Sequence, residues 1–117
     1  MERKGELLYQ RFLNTAQETV RLSAALEGFF LEVDIEEGQR GVYAADLKRR
    51  TRPALVRLIR ENALEKMDVL EQRGWVGAQE MDAFIRQAQS LGQEAAMLWL
   101  MRRKGERYGY HDRDFTL

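Results

Sequence analysis

Apolar side chains recur every third or fourth residue through most of this 117-residue chain, and this spacing constrains its fold more than any other feature. One stripe runs between residues 8 and 33, and similar stripes run between 55 and 70 and between 81 and 99. Because an α-helix turns once in 3.6 residues, such a stripe lies along one helix face and can pack into a core. The sequence therefore predicts an all-α fold of antiparallel helical hairpins, packed as a small bundle or a short stack.

The composition agrees with helix and with a single helical domain over 1–117. The chain has one proline and no cysteine, and residues that favour helices are common. A chain of this length can bury a core without disulfides or metals. The missing cysteines fit a reducing compartment, so we predict a cytoplasmic protein. No apolar run approaches the ~20 residues of a membrane-spanning helix, and no signal-peptide pattern is present, so no membrane association is expected.

Glycine and proline divide the first two thirds of the pattern. Gly38 and Gly41 indicate a turn at 38–41, and Pro53 disfavours helix in the residue before it. The predicted helices are about 6–27, 43–50 and 52–73, with Thr51 as an N-cap and Gly74 as the final stop. For residues 28–37 two alternatives remain, helix or extended chain, because apolar and acidic residues alternate there.

The last third has two alternatives of its own, one long helix over 78–104 or two helices. Ser90 and Gln93 have the spacing of a capping box, with Gly92 between them. This favours helices near 78–89 and 91–104 joined by a tight turn. Residues 105–117 contain two glycines and are predicted to form a non-helical tail whose aromatic residues pack on the body.

Residues 64–105 resemble ankyrin-type helix pairs. The small residue Ala88 stands four positions before the turn glycine Gly92. The acidic Glu94 follows this glycine, one position earlier than in the family. The large apolar residues Trp99 and Leu100 then precede a second glycine, Gly105. The segment 67–74 echoes 98–105 at an offset of 31 residues, close to the ~33-residue ankyrin period. The family's Thr-Pro-Leu-His opening is absent. The resemblance implies stacked helix pairs that bind a protein and perform no chemistry.

Motifs for catalysis are missing from the sequence. The only histidine, His111, lies in the tail beside Asp112 and Asp114, and polar side chains on a solvated segment explain this group better than a metal site does. There is no phosphate-binding glycine loop, and neither serine lies in a glycine-flanked nucleophile elbow. We therefore predict no catalytic residue, no cofactor and no metal, and hence no enzyme.

A carboxylate cluster gives the weakest alternative. Glu61, Glu65 and Asp68 lie along one predicted helix face. Magnesium prefers such oxygen ligands, and helical nucleotide pyrophosphohydrolases use them. Their Glu-Glu-x-x-Glu motif is not present, because Glu36-Glu37 is followed by glycine, glutamine and arginine. A solvated helix face is the favoured interpretation.

The distribution of charge gives a second alternative. The chain has 19 basic and 19 acidic residues, a balance unusual for a dedicated nucleic-acid binder. Residues 27–37 are acidic and residues 40–60 are basic, and the favoured interpretation is that the two blocks neutralise each other across a turn. The alternative is a nucleic-acid-associated regulator that uses the basic block 48–60.

The favoured function is a non-enzymatic helical protein–protein interaction module that also self-associates. Its partner is an unidentified protein or a second copy of the chain. Exposed aromatic and arginine side chains often anchor interfaces. The predicted partner contacts are Trp75, Arg49, Arg50, Arg52, Tyr108 and Tyr110.

Overall fold

A computed structural model of the chain describes residues 4–109 and has seven α-helices and no strand in that range. This confirms the predicted all-α fold. None of the helices in the described range is long and apolar enough to cross a membrane. The helices are α1 (Lys4–Asn14), α2 (Glu18–Phe29), α3 (Glu37–Arg49), α4 (Thr51–Arg60), α5 (Leu64–Gln72), α6 (Ala78–Ser90) and α7 (Glu94–Tyr108).

The helices group into two compact units that divide within α4, between Ala54 and Leu55. In the first unit α2 packs against both α1 and α3, and in the second unit α6 packs against α7. Each unit thus contains the packed helix pairs that the sequence predicts. A single domain over 1–117 stays a prediction.

An aromatic cluster forms the centre of the first unit. The Tyr43 side chain is 1% exposed, and its ring meets Phe12 and Tyr9 edge-on at centroid distances of 5.0 and 5.6 Å. The ring also lies against Gly28 of α2, where a β-carbon would come within 2.3 Å of it. The missing side chain at Gly28 therefore lets α2 and α3 approach each other closely.

The predicted helix over 6–27 is wrong, because the chain breaks at residues 15–17 and forms α1 and α2 instead. The Thr15 hydroxyl accepts a hydrogen bond from the Gln17 amide at 3.1 Å, a local bond that competes with helix. Arg21 donates to the Thr15 carbonyl at 2.7 Å and so satisfies a backbone group beyond the end of α1. Because the apolar stripe continues through residues 15–17, the sequence pattern does not predict this break.

Residues 28–41 also differ from expectation. Helix α2 ends at Phe29, residues 30–36 are neither helix nor strand, and α3 begins at Glu37, so the predicted turn at 38–41 is helical. The Gln39 side chain accepts a hydrogen bond from the Glu36 amide at 3.4 Å and starts α3. Arg40 donates to the carbonyls of Phe29 and Leu31 at 2.6 and 2.8 Å, which caps the end of α2.

The predicted helix over 52–73 is two helices, α4 and α5. Asn62 has a φ of 54°, a left-handed conformation that ends α4. Thr51 is not an N-cap, because its hydroxyl donates to the Leu47 and Lys48 carbonyls at 3.2 and 2.8 Å and serves the end of α3 instead. The stop at Gly74 is confirmed: α5 ends at Gln72, and Gly74 has a φ of 79°.

The region 78–104 contains two helices, α6 and α7, as favoured. The capping box at Ser90 is wrong, since Ser90 is the last residue of α6 and Gln93 precedes α7. Helix α7 also continues through Gly105 to Tyr108, so 105–108 is not part of a non-helical tail. Side-chain bonds hold this last turn, because Arg107 binds Glu71 and the Tyr108 hydroxyl donates to the Val76 carbonyl. The rest of the predicted tail, 110–117, lies outside the described residues.

The buried Tyr43 hydroxyl gives a first prediction. Within residues 4–109 it has no hydrogen-bond partner. Removing an unsatisfied buried hydroxyl avoids its desolvation cost, so we expect Tyr43→Phe to stabilise the protein by roughly 1 kcal/mol at neutral pH. Urea unfolding followed by far-UV circular dichroism measures this. A loss of stability on replacement would contradict the absence of a partner.

The same residue predicts the response to alkali. Burial raises the pKa of Tyr43 from 10.0 to about 12. Between these values the unfolded chain releases this proton and the folded chain keeps it, so folding stability falls by about 1.4 kcal/mol per pH unit. Below pH 10 the group contributes nothing to the slope. The Tyr43→Phe variant lacks this proton, so its free energy of unfolding should fall less than that of the wild-type chain between pH 10 and pH 12.

Candidate interaction surface

The second unit repeats one backbone turn. Asn62, between α4 and α5, and Gly92, between α6 and α7, are 30 residues apart (92 − 62), with φ values of 54° and 71°. The Ala63 amide donates to the Leu58 carbonyl, and the Gln93 amide donates to the Ala88 carbonyl, both at 2.9 Å. The unit therefore consists of two helix–turn–helix segments with the same turn geometry.

Hydrogen bonds and ion pairs join these two segments side by side. The Gln93 side chain donates to the Arg60 carbonyl at 2.7 Å, which links the two turns. Glu71 of α5 is 3% exposed and accepts from Arg107 Nε of α7 at 2.5 Å, while Arg103 Nη1 lies 3.6 Å from it. Arg103 also pairs with Asp68. Acidic side chains of α5 thus face basic side chains of α7, and the Glu71 carboxylate raises the pKa of Arg107.

The corresponding positions on α7 are apolar. Thirty residues after Asp68 and Glu71 stand Leu98 and Met101, whose side chains are 54% and 46% exposed. In the turn before α7, Leu91 stands thirty residues after Glu61 and is 36% exposed. The side of α5 that meets the next helix is therefore acidic, whereas the matching side of α7 presents large apolar groups to solvent.

We call this surface the α7 face. It combines the exposed apolar residues with charged residues one helical turn to either side and with small residues between them. Exposed apolar area framed by charge is typical of surfaces that contact other proteins. The members of the α7 face that lie on the helix are Glu94, Ala95, Leu98, Met101, Arg102 and Gly105, and Leu91 lies in the turn before this helix.

Two of the contacts predicted from the sequence lie near one another in the second unit. Trp75 is half-buried, and the Arg73 guanidinium lies 6.0 Å from the centroid of its ring. Tyr108 is 39% exposed and binds the carbonyl of Val76, the residue after Trp75. The Tyr108 bond joins the end of α7 to the segment that follows α5, whereas the contact given for Trp75 is local. Tyr110 lies outside the described residues.

The predicted arginine contacts have different surroundings. Arg50 binds the carboxylate of Glu18 and lies 3.6 Å from Asp46, so it joins α2 to α3. Arg49 is largely exposed at 3.4 Å from Asp46, and Arg52 is exposed on α4. Glu18, the main partner of Arg50, lies outside the acidic block 27–37 that the sequence predicts to neutralise the basic block.

A groove in the first unit is a further surface, with a volume of about 520 Å³. Its polar lining includes Arg21, Arg49 and the 2%-exposed Asp46, whose Oδ2 has no hydrogen-bond partner within residues 4–109. The other lining residues are small or apolar: Phe12, Leu13, Gly38, Gly41, Val42 and Ala45. The sequence does not predict this groove, because it places the two glycines in a turn.

The carboxylates of the weakest alternative are not gathered into a ligand set. Glu61 and Glu65 are exposed, and Asp68 accepts from Gln72 at 3.0 Å and pairs with Arg103. Across residues 4–109 no three histidine, cysteine, aspartate or glutamate side chains form a group that could hold a metal. His111 lies outside this range.

In comparisons of the whole chain with protein-family models, curated proteins and solved structures, nothing matches.

Proposed function

We propose that the chain is a non-enzymatic helical protein–protein interaction module that self-associates through the α7 face. The observation that carries this proposal is the exposure of Leu98 and Met101 at positions where the preceding helix pair has acidic groups facing its neighbour. In arrays of stacked helix pairs the terminal pair normally presents a polar outer surface, because nothing covers it. An apolar outer surface at this position favours an interface.

The resemblance to ankyrin-type helix pairs is part of this proposal. It is supported by the repeated turn at Asn62 and Gly92 and by the Gln93 bond to the Arg60 carbonyl. The absence of cysteine supports a reducing compartment, and we assign the module to the cytoplasm on that basis.

Leu98→Glu tests the proposal. Sedimentation velocity over roughly 1 to 500 µM covers the affinities expected of a small interface. We expect the wild-type chain to form dimers as concentration rises. The variant should weaken association at least thirtyfold, because each of the two copies loses ~1 kcal/mol of apolar burial and gains a charge in the interface.

Val33→Glu is the matched control, since Val33 is 69% exposed and lies between α2 and α3. It adds the same charge to an exposed apolar site of the first unit that is not a member of the α7 face, so it should associate as the wild-type chain does. A wild-type chain that stays monomeric throughout, or equal losses in both variants, would refute the proposal.

A further inference from the structure

The charges of the α7 face are arranged symmetrically about one residue. Glu94 stands four residues before Leu98, and Arg102 stands four residues after it. Residues four apart lie on the same helix face with a rise of about 6 Å, so both charges flank Leu98 at equal distance along α7. Glu94 is exposed, and the Arg102 side chain is 72% exposed although its Nε lies 3.8 Å from Glu106.

This symmetry makes the face complementary to itself in one orientation. When two α7 helices lie antiparallel with a two-fold axis at Leu98, each Glu94 stands opposite Arg102 of the partner copy. A parallel pair would instead place glutamate against glutamate and arginine against arginine, which repel. The charge pattern therefore selects the antiparallel arrangement.

Side-chain sizes fit the same axis. Met101 stands opposite Ala95 of the partner copy, each position being three residues from the axis. A large residue then faces a small one at two places, which lets two helices pack closely.

We infer that two copies of this chain form a two-fold dimer in which antiparallel α7 helices meet at Leu98 and pair Glu94 of each copy with Arg102 of the other. This inference rests on the proposed function and specifies its partner and geometry. The contact is small, so the dimer is expected to be weak and concentration-dependent.

Charge reversal in trans tests the geometry. Glu94→Arg and Arg102→Glu each convert two attractive pairs of the dimer into two repulsive ones. We expect each variant to self-associate about tenfold more weakly than the wild-type chain. An equimolar mixture of the two variants should restore association. In a mixed dimer, the arginine introduced at position 94 of one copy meets the glutamate introduced at position 102 of the other. On the other side of the axis, the native Arg102 of the first copy meets the native Glu94 of the second.

A control and a second variant keep the test decisive. Glu65→Arg makes the same charge change at an exposed site on α5, and it should leave association unchanged. Thermal unfolding by circular dichroism verifies that the variants fold, and Glu94→Gln, which removes the charge without reversing it, should weaken association about threefold.

A single cysteine gives an independent readout. Because the chain has no cysteine, Leu98→Cys introduces one thiol, which lies on the proposed axis. Mild oxidation should cross-link two copies rapidly, since antiparallel helices in contact bring these positions within disulfide reach. Val33→Cys should cross-link far more slowly.

The two failures are distinct. If the wild-type chain dimerises but the mixture of variants associates no better than either alone, the antiparallel geometry is wrong and the proposed function stands. If the wild-type chain does not self-associate at any concentration, the proposed function and this inference both fail.

Discussion

Gly28→Ala should destabilise the protein by about 3 kcal/mol, because overpacking a closed core forces side chains and backbone to shift. The added β-carbon would lie 2.3 Å from two ring atoms of Tyr43. That ring is 1% exposed and enclosed by Phe12 and Tyr9, so it has little room to move. The contact between α2 and α3 must therefore open to accept one methyl group.

The same substitution at Gly41 should have the opposite sign. Gly41 is an exposed residue inside α3, and nothing lies within 4 Å of a β-carbon placed there. Alanine favours helix over glycine by about 0.5–1 kcal/mol, so Gly41→Ala should stabilise the protein by that amount. Urea unfolding followed by circular dichroism compares the two variants. Equal effects would show that the approach at Gly28 is looser than the structure indicates.

Glu71→Ala should destabilise the protein by about 2 kcal/mol, a value below that of a fully buried ion pair because water can reach the arginines left behind. Glu71 is 3% exposed and takes hydrogen bonds from Arg107 at 2.5 and 3.1 Å, with Arg103 close by. The substitution thus removes the acidic centre that joins α5 to α7.

Glu65→Ala provides the matched comparison on the same helix. Glu65 is exposed, so its replacement should change stability by no more than about 0.5 kcal/mol. Thermal and urea unfolding measure both variants. The last turn of α7 should also lose protection from amide hydrogen exchange in Glu71→Ala, since Arg107 belongs to that turn. Similar stability of the two variants would show that Glu71 does not hold the helices together.

Helical spacing is a local property, and for that reason the sequence predicts the helix content well. The apolar stripe correctly places Leu8, Phe12 and Leu22 in the core, and the glycine signal at Gly74 correctly ends α5. The same spacing does not reveal the breaks at 15–17 and 61–63, because apolar residues continue at intervals of three or four on either side of each break. At the first break the Thr15 hydroxyl accepts from the Gln17 amide, and at the second Asn62 is left-handed.

Part of the candidate interaction surface could also be predicted from the sequence. Aligning residues 58–71 with 88–101 would place Asp68 and Glu71 against Leu98 and Met101, a change from acidic to apolar. The ankyrin-type pattern instead pairs 67–74 with 98–105 at an offset of 31, one residue more than the structural repeat of 30, and this register misses the change. The structure corrects it because the turns at Asn62 and Gly92 share the same hydrogen bonds.

The sequence by itself determined that the chain is helical, that it has no cysteine chemistry, and that its apolar residues suffice for a core. Only the tertiary structure decided which charges are satisfied and which apolar groups meet solvent. Arg40 binds the Phe29 carbonyl, Arg50 binds Glu18 and Glu71 binds Arg107, at separations of 11, 32 and 36 residues that no local pattern encodes. Leu98 belongs to a helical stripe like any core residue, and its exposure follows from how α7 packs against α5 and α6.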